Sequence, residues 1–146
     1  MQRSLALAVL CVACGGEEPP PGPLPFFPEN VTTSYVEVRS CRFSVEHDGA
    51  SIVIYASPEA AAAYRDGRYP FTTGTVIVKA EHADSACSTL AGYTAMRKTG
   101  TGSTAADWQW QRVRPDRTVE ATVSTEPCIR CHSGCTQGRD LTCADP

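Results

Sequence analysis

Between residues 34 and 114 the chain returns five times to short runs rich in β-branched and aromatic residues. These are Ser34–Phe43, Ser51–Ala56, Thr75–Glu81, Gly92–Lys98 and Asp107–Arg114, each bounded by turn-forming residues such as His47-Asp48-Gly49. In the last run Trp108, Trp110 and Arg112 fall on one side, while Gln109, Gln111 and Val113 fall on the other. A sixth run, Val119–Ser124, is read as a further strand. One helix interrupts the series. Ser57 stands at its cap, Pro58 takes the first helical position, and Glu59 favours the positive end of the dipole. Ala60–Ala63 and Tyr64 continue it, and Gly67 can stop it. Strands this close together, with one main helix, predict a mostly-β α+β domain built on an antiparallel sheet. A short C-terminal helix carrying residues 128–132 completes the expected fold.

The first thirty residues follow no such pattern. Arg3 precedes nine apolar residues from Leu5 to Ala13, a run too short to span a bilayer and typical of an export signal. Residues 1–13 are read as that signal. Ala13-Cys14-Gly15 resembles a bacterial lipoprotein processing site, which would leave Cys14 lipidated as the mature N-terminus and anchor at a membrane surface. Cys11 stands where such sites usually carry leucine, so ordinary secretion is the alternative. Residues 14–30 hold six of the eleven prolines and are read as an extended tether. The domain then runs over 31–146. A net charge of −3 with no basic run argues against nucleic acid as a partner.

Chemistry concentrates in Cys128-Ile129-Arg130-Cys131-His132. CxxCH is the attachment signature of c-type haem, in which two thiols add to the vinyl groups and the next histidine binds iron. A CxxC redox pair, or a zinc site completed by Cys135 and Cys143, uses the same residues. An exported location disfavours thiol-rich zinc sites and favours disulfides and covalent haem. The count of eight cysteines then closes: Cys11 leaves with the signal, Cys14 takes lipid, Cys128 and Cys131 hold haem, and four remain. Those four allow three pairings, of which Cys41–Cys87 with Cys135–Cys143 is favoured.

The run from Gly67 to Lys79 (GRYPFTTGTVIVK), then Gly92–Lys98 (GYTAMRK), then Asp107–Trp110 (DWQW) and CIRCH resembles the cytochrome P-460 family and its relative cytochrome c′-beta. The resemblance covers roughly residues 55–132 and implies a β-rich homodimer with one covalent haem c. In the P-460 branch a lysine is also bonded to the haem macrocycle, and hydroxylamine is oxidised at the iron. The c′-beta branch lacks that oxidation and binds small gases such as nitric oxide. The implied partners are therefore a small nitrogen ligand or substrate and a periplasmic redox partner, at the periplasm or cell surface. A plain electron carrier with both axial positions filled is a third possibility.

Specific residues follow from the match. His132 is expected to ligate iron through Nε2, with Nδ1–H given to a carbonyl or carboxylate. Lys79 shares a strand face with Thr75, Ile77 and Glu81, while Val76, Val78 and Ala80 occupy the other. Apolar residues on both sides suggest a covered strand, whose burial would lower the lysine pKa and expose a nucleophilic amine. The alternative is a strand-end lysine reaching solvent beside Glu81. The resemblance favours a haem-facing Lys79. Phe71 matches an aromatic position that could cap the iron. The P-460 branch also carries an acidic residue shortly before CxxCH; here the aligned position, near Val123, is apolar. Glu120 becomes the base expected to take protons from substrate, while Glu126 is read as a surface residue. His47 and His82 are read as solvated, Met96 as packing rather than a sixth ligand, and Trp108 and Trp110 as core or haem-packing residues.

Overall fold

Each of the five β-rich runs forms a strand, and the strands pair in the order they occur. The computed structural model describes residues 22–135 and 138–143, so the expected signal, Cys14 and most of the tether lie outside the described residues. β1 (Val36–Phe43), β2 (Ser51–Ala56), β3 (Val76–His82), β4 (Leu90–Lys98) and β5 (Trp108–Val113) make one five-stranded antiparallel meander. Three α-helices accompany it among the described residues: α1 (Val31–Ser34), α2 (Pro58–Arg65) and α3 (Glu126–Ser133). The mostly-β α+β class expected from the sequence is therefore the fold observed.

Alternation along the strands splits the apolar residues between two cores. On one face Ile52, Ile54, Ala56, Ile77, Met96 and Trp108 pack beneath Ala60, Ala61 and Tyr64 of α2. On the other face Val53, Tyr55, Val76, Val78, Ala80, Ala95 and Val113 are covered by Phe27 and Val31. Residues 24–27, expected to belong to the tether, are thus held on the sheet. Phe27 is 3% exposed, its ring lies 4.2 Å from the Arg117 guanidinium, and Phe26 N–H donates to Gln111 Oε1 at 2.9 Å. Proline content had masked two aromatic residues able to bury a large apolar area.

Two local expectations change. Ser57 does precede α2, but its hydroxyl does not cap the helix; it accepts a hydrogen bond from Val76 N at 3.1 Å, tying the helix start to β3. Gly67 ends α2 as expected: at φ +64° it allows Gly67 N–H and Arg68 N–H to reach the Tyr64 and Ala63 carbonyls. The strand expected over Val119–Ser124 does not form. Residues 118–120 make only a short return beside β5, through Arg114 N–H to Thr118 O and Glu120 N–H to Arg112 O, both 2.9 Å. Residues 121–124 are exposed and turn toward α3, so they have no covered face to hold them in register.

Among the described residues two disulfides close the fold, in the favoured pairing. Cys41–Cys87 joins β1 to the β3–β4 connection, and Cys135–Cys143 closes the segment after α3.

Candidate haem site

The sheet supplies the floor of the site through its register. Lys79 on β3 stands opposite Ile54 on β2 and Thr94 on β4, and Thr94 stands opposite Arg112 on β5. The adjacent row is Ile77, Met96 and Trp110. Side chains in such rows lie roughly 5 Å apart, so the two rows form a continuous surface. α3 faces that surface, with the loop at residues 46–48 at one side and residues 142–143 at another, and all of them line a cavity of about 200 Å³.

α3 presents the CxxCH residues on adjacent turns. Cys128 and Cys131 are three residues apart, and Cys128 and His132 are four apart, so the three share one flank of the helix. All three line the cavity. The His132 ring packs edge-on to Trp110 with centroids 4.9 Å apart. His132 Nδ1 is 2.7 Å from the Leu141 carbonyl, an arrangement that requires Nδ1 to carry the proton and leaves Nε2 with a free lone pair. Burial pushes the imidazole pKa down to about 4, with the hydrogen bond to Leu141 opposing and the charges of Lys79 and His47 assisting. A neutral imidazole with a bare Nε2 is the form that binds a metal.

Cys128 and Cys131 are free thiols. A redox CxxC pair depends on a thiol pKa lowered well below its ordinary value. Here burial pushes the Cys128 thiol up, with Arg112 opposing only in part. The zinc alternative meets a different obstacle. Sulfurs of Cys135 and Cys143 lie with a His132 nitrogen inside a span of 4.8 Å, yet they are bonded to each other and offer no thiolates.

Opposite the helix, Lys79, Glu81, His47 and Thr94 form one hydrogen-bonded group. Glu81 Oε1 accepts from Thr94 Oγ1 at 3.0 Å and lies 3.2 Å from His47 Nδ1. His47 Nε2 is hydrogen-bonded to Lys79 Nζ. Burial pushes the Lys79 ammonium down to about 8, with the Glu81 carboxylate opposing. Burial acts to raise the Glu81 pKa, but the hydrogen bond and charge of His47, the Thr94 hydroxyl and Arg112 outweigh it and hold the carboxyl below its ordinary value. Glu81 is therefore an ionised acceptor, and the Lys79 ammonium gives up its proton more readily than an ordinary lysine.

The site residues expected from the sequence divide cleanly by position. Cys128, Cys131, His132 and Lys79 line one cavity. Phe71 and Glu120 are not among its lining residues. Phe71 is 3% exposed in the core under α2, edge-on to Tyr69 and Trp108, with its amide donating to Asp140 Oδ2 at 2.8 Å. It precedes β3 and is committed to that core rather than to capping the cavity. Glu120, in the short return that runs along β5, is ion-paired with Arg114 at 3.0 Å and Arg112 at 3.6 Å. Three acids line the cavity, Glu46, Asp48 and Glu81, and of these Glu81 is the one bonded to His47 and Thr94 beside Lys79; His47 had been read as a solvated turn residue. Glu81 had a sequence signal, since it shares the Lys79 face at a spacing of two. His47 had none, because only the fold of the β1–β2 connection brings it over the sheet. Met96 is 4% exposed and packs in the core while bordering the cavity.

The donor set fits a covalently attached haem. Two unpaired thiols and a histidine with its Nδ1 already engaged stand at one wall, and aliphatic side chains from the sheet stand at the other. Trp110 Nε1, on the cavity wall, is buried with no hydrogen-bond partner among the described residues, a donor open to a polar group bound there.

An antiparallel sheet facing a short CxxCH helix across one cavity is the arrangement of a β-rich haem cytochrome. The family model described as Cytochrome P460 matches residues 29–143, and the chain belongs to that family. No curated protein matches the chain.

Proposed function

We propose that this cytochrome binds a small nitrogen compound, hydroxylamine or nitric oxide, at a His132-ligated haem and oxidises it. The observation that carries this reading is the pairing, across one cavity, of the Cys128–Cys131–His132 set with the Lys79–His47–Glu81 group. Haem attached there would supply an iron at which such a ligand binds and from which electrons leave to an external acceptor.

The chain's own residues supply the remainder. Cys128 and Cys131 would hold the macrocycle by thioether bonds, and His132 would hold the iron through Nε2. The Leu141 carbonyl keeps the imidazole in the required tautomer. Oxidation of an N–H compound releases protons as electrons depart, so a base is needed within reach of the cavity. Glu81, kept ionised, and His47, hydrogen-bonded to it, are the acceptors; Glu120 is replaced in that role. Lys79, whose ammonium is pushed down to about 8 and so releases its proton more readily than an ordinary lysine, is suited to a covalent bond with the haem edge, as in the hydroxylamine-oxidising branch. Two disulfides and covalent haem both suit an exported protein, at the periplasm or cell surface.

The test is a spectrum of the purified holoprotein with and without hydroxylamine and an electron acceptor, together with carbon monoxide addition to the ferrous form. Hydroxylamine consumption and stoichiometric CO binding are expected. Lys79→Ala should narrow and blue-shift the ferrous Soret band. NO binding without hydroxylamine consumption would instead favour the gas-binding branch, and refusal of CO would indicate a six-coordinate electron carrier.

A further inference from the structure

Behind the cavity lies a charged pair that the proposed chemistry does not use. Lys98, at the end of β4, and Asp140, in the segment after α3, meet at 2.5 Å with both side chains fully buried. Asp140 is tied to three separate parts of the sheet core. Its Oδ2 accepts from Phe71 N–H at 2.8 Å, and its Oδ1 accepts from Trp108 Nε1–H at 3.3 Å as well as from Lys98. Lys98 Nζ also donates to the Gly102 carbonyl and lies 4.8 Å from the centre of the Trp108 ring.

A buried ion pair is often no more stabilising than apolar side chains of the same volume, because two charges must be desolvated. What it supplies is a fixed geometry. Here the geometry is demanding, since Asp140 and Leu141 both adopt positive φ, at 49° and 65°. Two successive non-glycine residues in the left-handed region persist only where surrounding contacts over-determine them. That backbone is what aims the Leu141 carbonyl at His132 Nδ1. Cys135–Cys143 closes the same segment from its ends, and Thr142 N–H and Oγ1–H both bond the Arg139 carbonyl.

We propose that Lys98 and Asp140 are positioning residues for the haem histidine: by locking residues 140–141 onto the sheet, they set the hydrogen bond from His132 Nδ1–H to Leu141 O. This rests on His132 being the iron ligand. A strong bond at Nδ1 makes the imidazole a better donor at Nε2, which favours ferric over ferrous iron. The pair therefore acts on the iron from a distance, without touching substrate.

The experiment uses the full-length holoprotein carrying Lys98→Met together with Asp140→Leu, which removes both charges and leaves none unpaired. With haem still attached, the iron–histidine stretch in the ferrous resonance Raman spectrum should shift to lower frequency, and the midpoint potential should shift positive. In the protein as purified, with or without haem, the His132 Nδ1–H proton should exchange with solvent faster than in wild type. Asp140→Asn, which keeps an acceptor oxygen in place, should move all three readouts the same way by less, and it carries the test if the double variant does not fold. A changed melting temperature with unchanged stretch, potential and proton exchange would overturn the proposal. Free thiols at Cys128 and Cys131 in wild type would overturn the haem reading instead, while the exchange measurement would still decide whether the pair positions His132.

Discussion

The two faces of the sheet are built from the same strands yet are finished in opposite ways. The outer face is a closed apolar layer, with Val53, Val76, Val78, Ala95 and Val113 sealed by Phe27 and Val31. The inner face begins as a similar core under α2 and then, one residue row further on, turns polar. There Lys79, Glu81, Thr94 and Arg112 line the cavity. Unpartnered polar groups on a covered face cost about 1–3 kcal/mol each, so they persist where they bond one another or serve a ligand. The Glu81–His47–Lys79–Thr94 group does the first. The free thiols and the bare Nε2 of His132 point to the second. The outer face is packing throughout, whereas the inner face beyond the α2 core exchanges apolar packing for groups suited to the proposed chemistry.

The sharpest way to break that division is at His132. His132→Ala should leave haem attached through Cys128 and Cys131 but abolish the histidine-ligated spectrum. A normal five-coordinate histidine spectrum in that variant would mean that another residue holds the iron. Next in size is the base. Glu81→Gln should lower hydroxylamine oxidation by roughly 10²-fold, the usual scale for a lost general base, with haem content unchanged. Equal turnover by wild type and variant would remove Glu81 from the mechanism.

The outer face should respond in the opposite sense. Phe27→Ala is expected to cost about 3 kcal/mol of stability in denaturant unfolding, as for other buried aromatics, while the optical spectrum stays as in wild type. If that variant shifted the Soret band as Lys79→Ala is expected to, the two faces would not be independent. Smallest of all should be Glu120→Ala, at about 0.5 kcal/mol or less of stability and no measurable change in turnover. Its partners Arg112 and Arg114 are 38% and 60% exposed, and pairs so near solvent contribute little.

What could be read from the sequence follows the range of the interactions that decide it. β-branched alternation placed all five strands, and the face assignments of Lys79 and Trp110 came with it, because strand period is a local property. Ser57-Pro58 and Gly67 marked α2 for the same reason, although the Ser57 hydroxyl serves β3 rather than the helix. The CxxCH set was legible as a motif. Failures came where distant segments decide the outcome. Phe27 was hidden in a proline-rich run, and Val119–Ser124 had strand-forming residues but no covered face. Phe71 and Glu120 entered through resemblance and positional matching, which cannot register that one is locked by Asp140 in the core and the other by two arginines. His47 reaches the cavity through the β1–β2 connection alone.

The central claim is that Cys128, Cys131, His132 and Lys79 surround one haem. The most direct test is mass spectrometry of peptides cut from the protein after co-expression with a cytochrome c maturation system. One haem is expected on the peptide holding Cys128–His132, with the Lys79 peptide joined to the same macrocycle. Unmodified thiols at Cys128 and Cys131 in folded protein would contradict it outright.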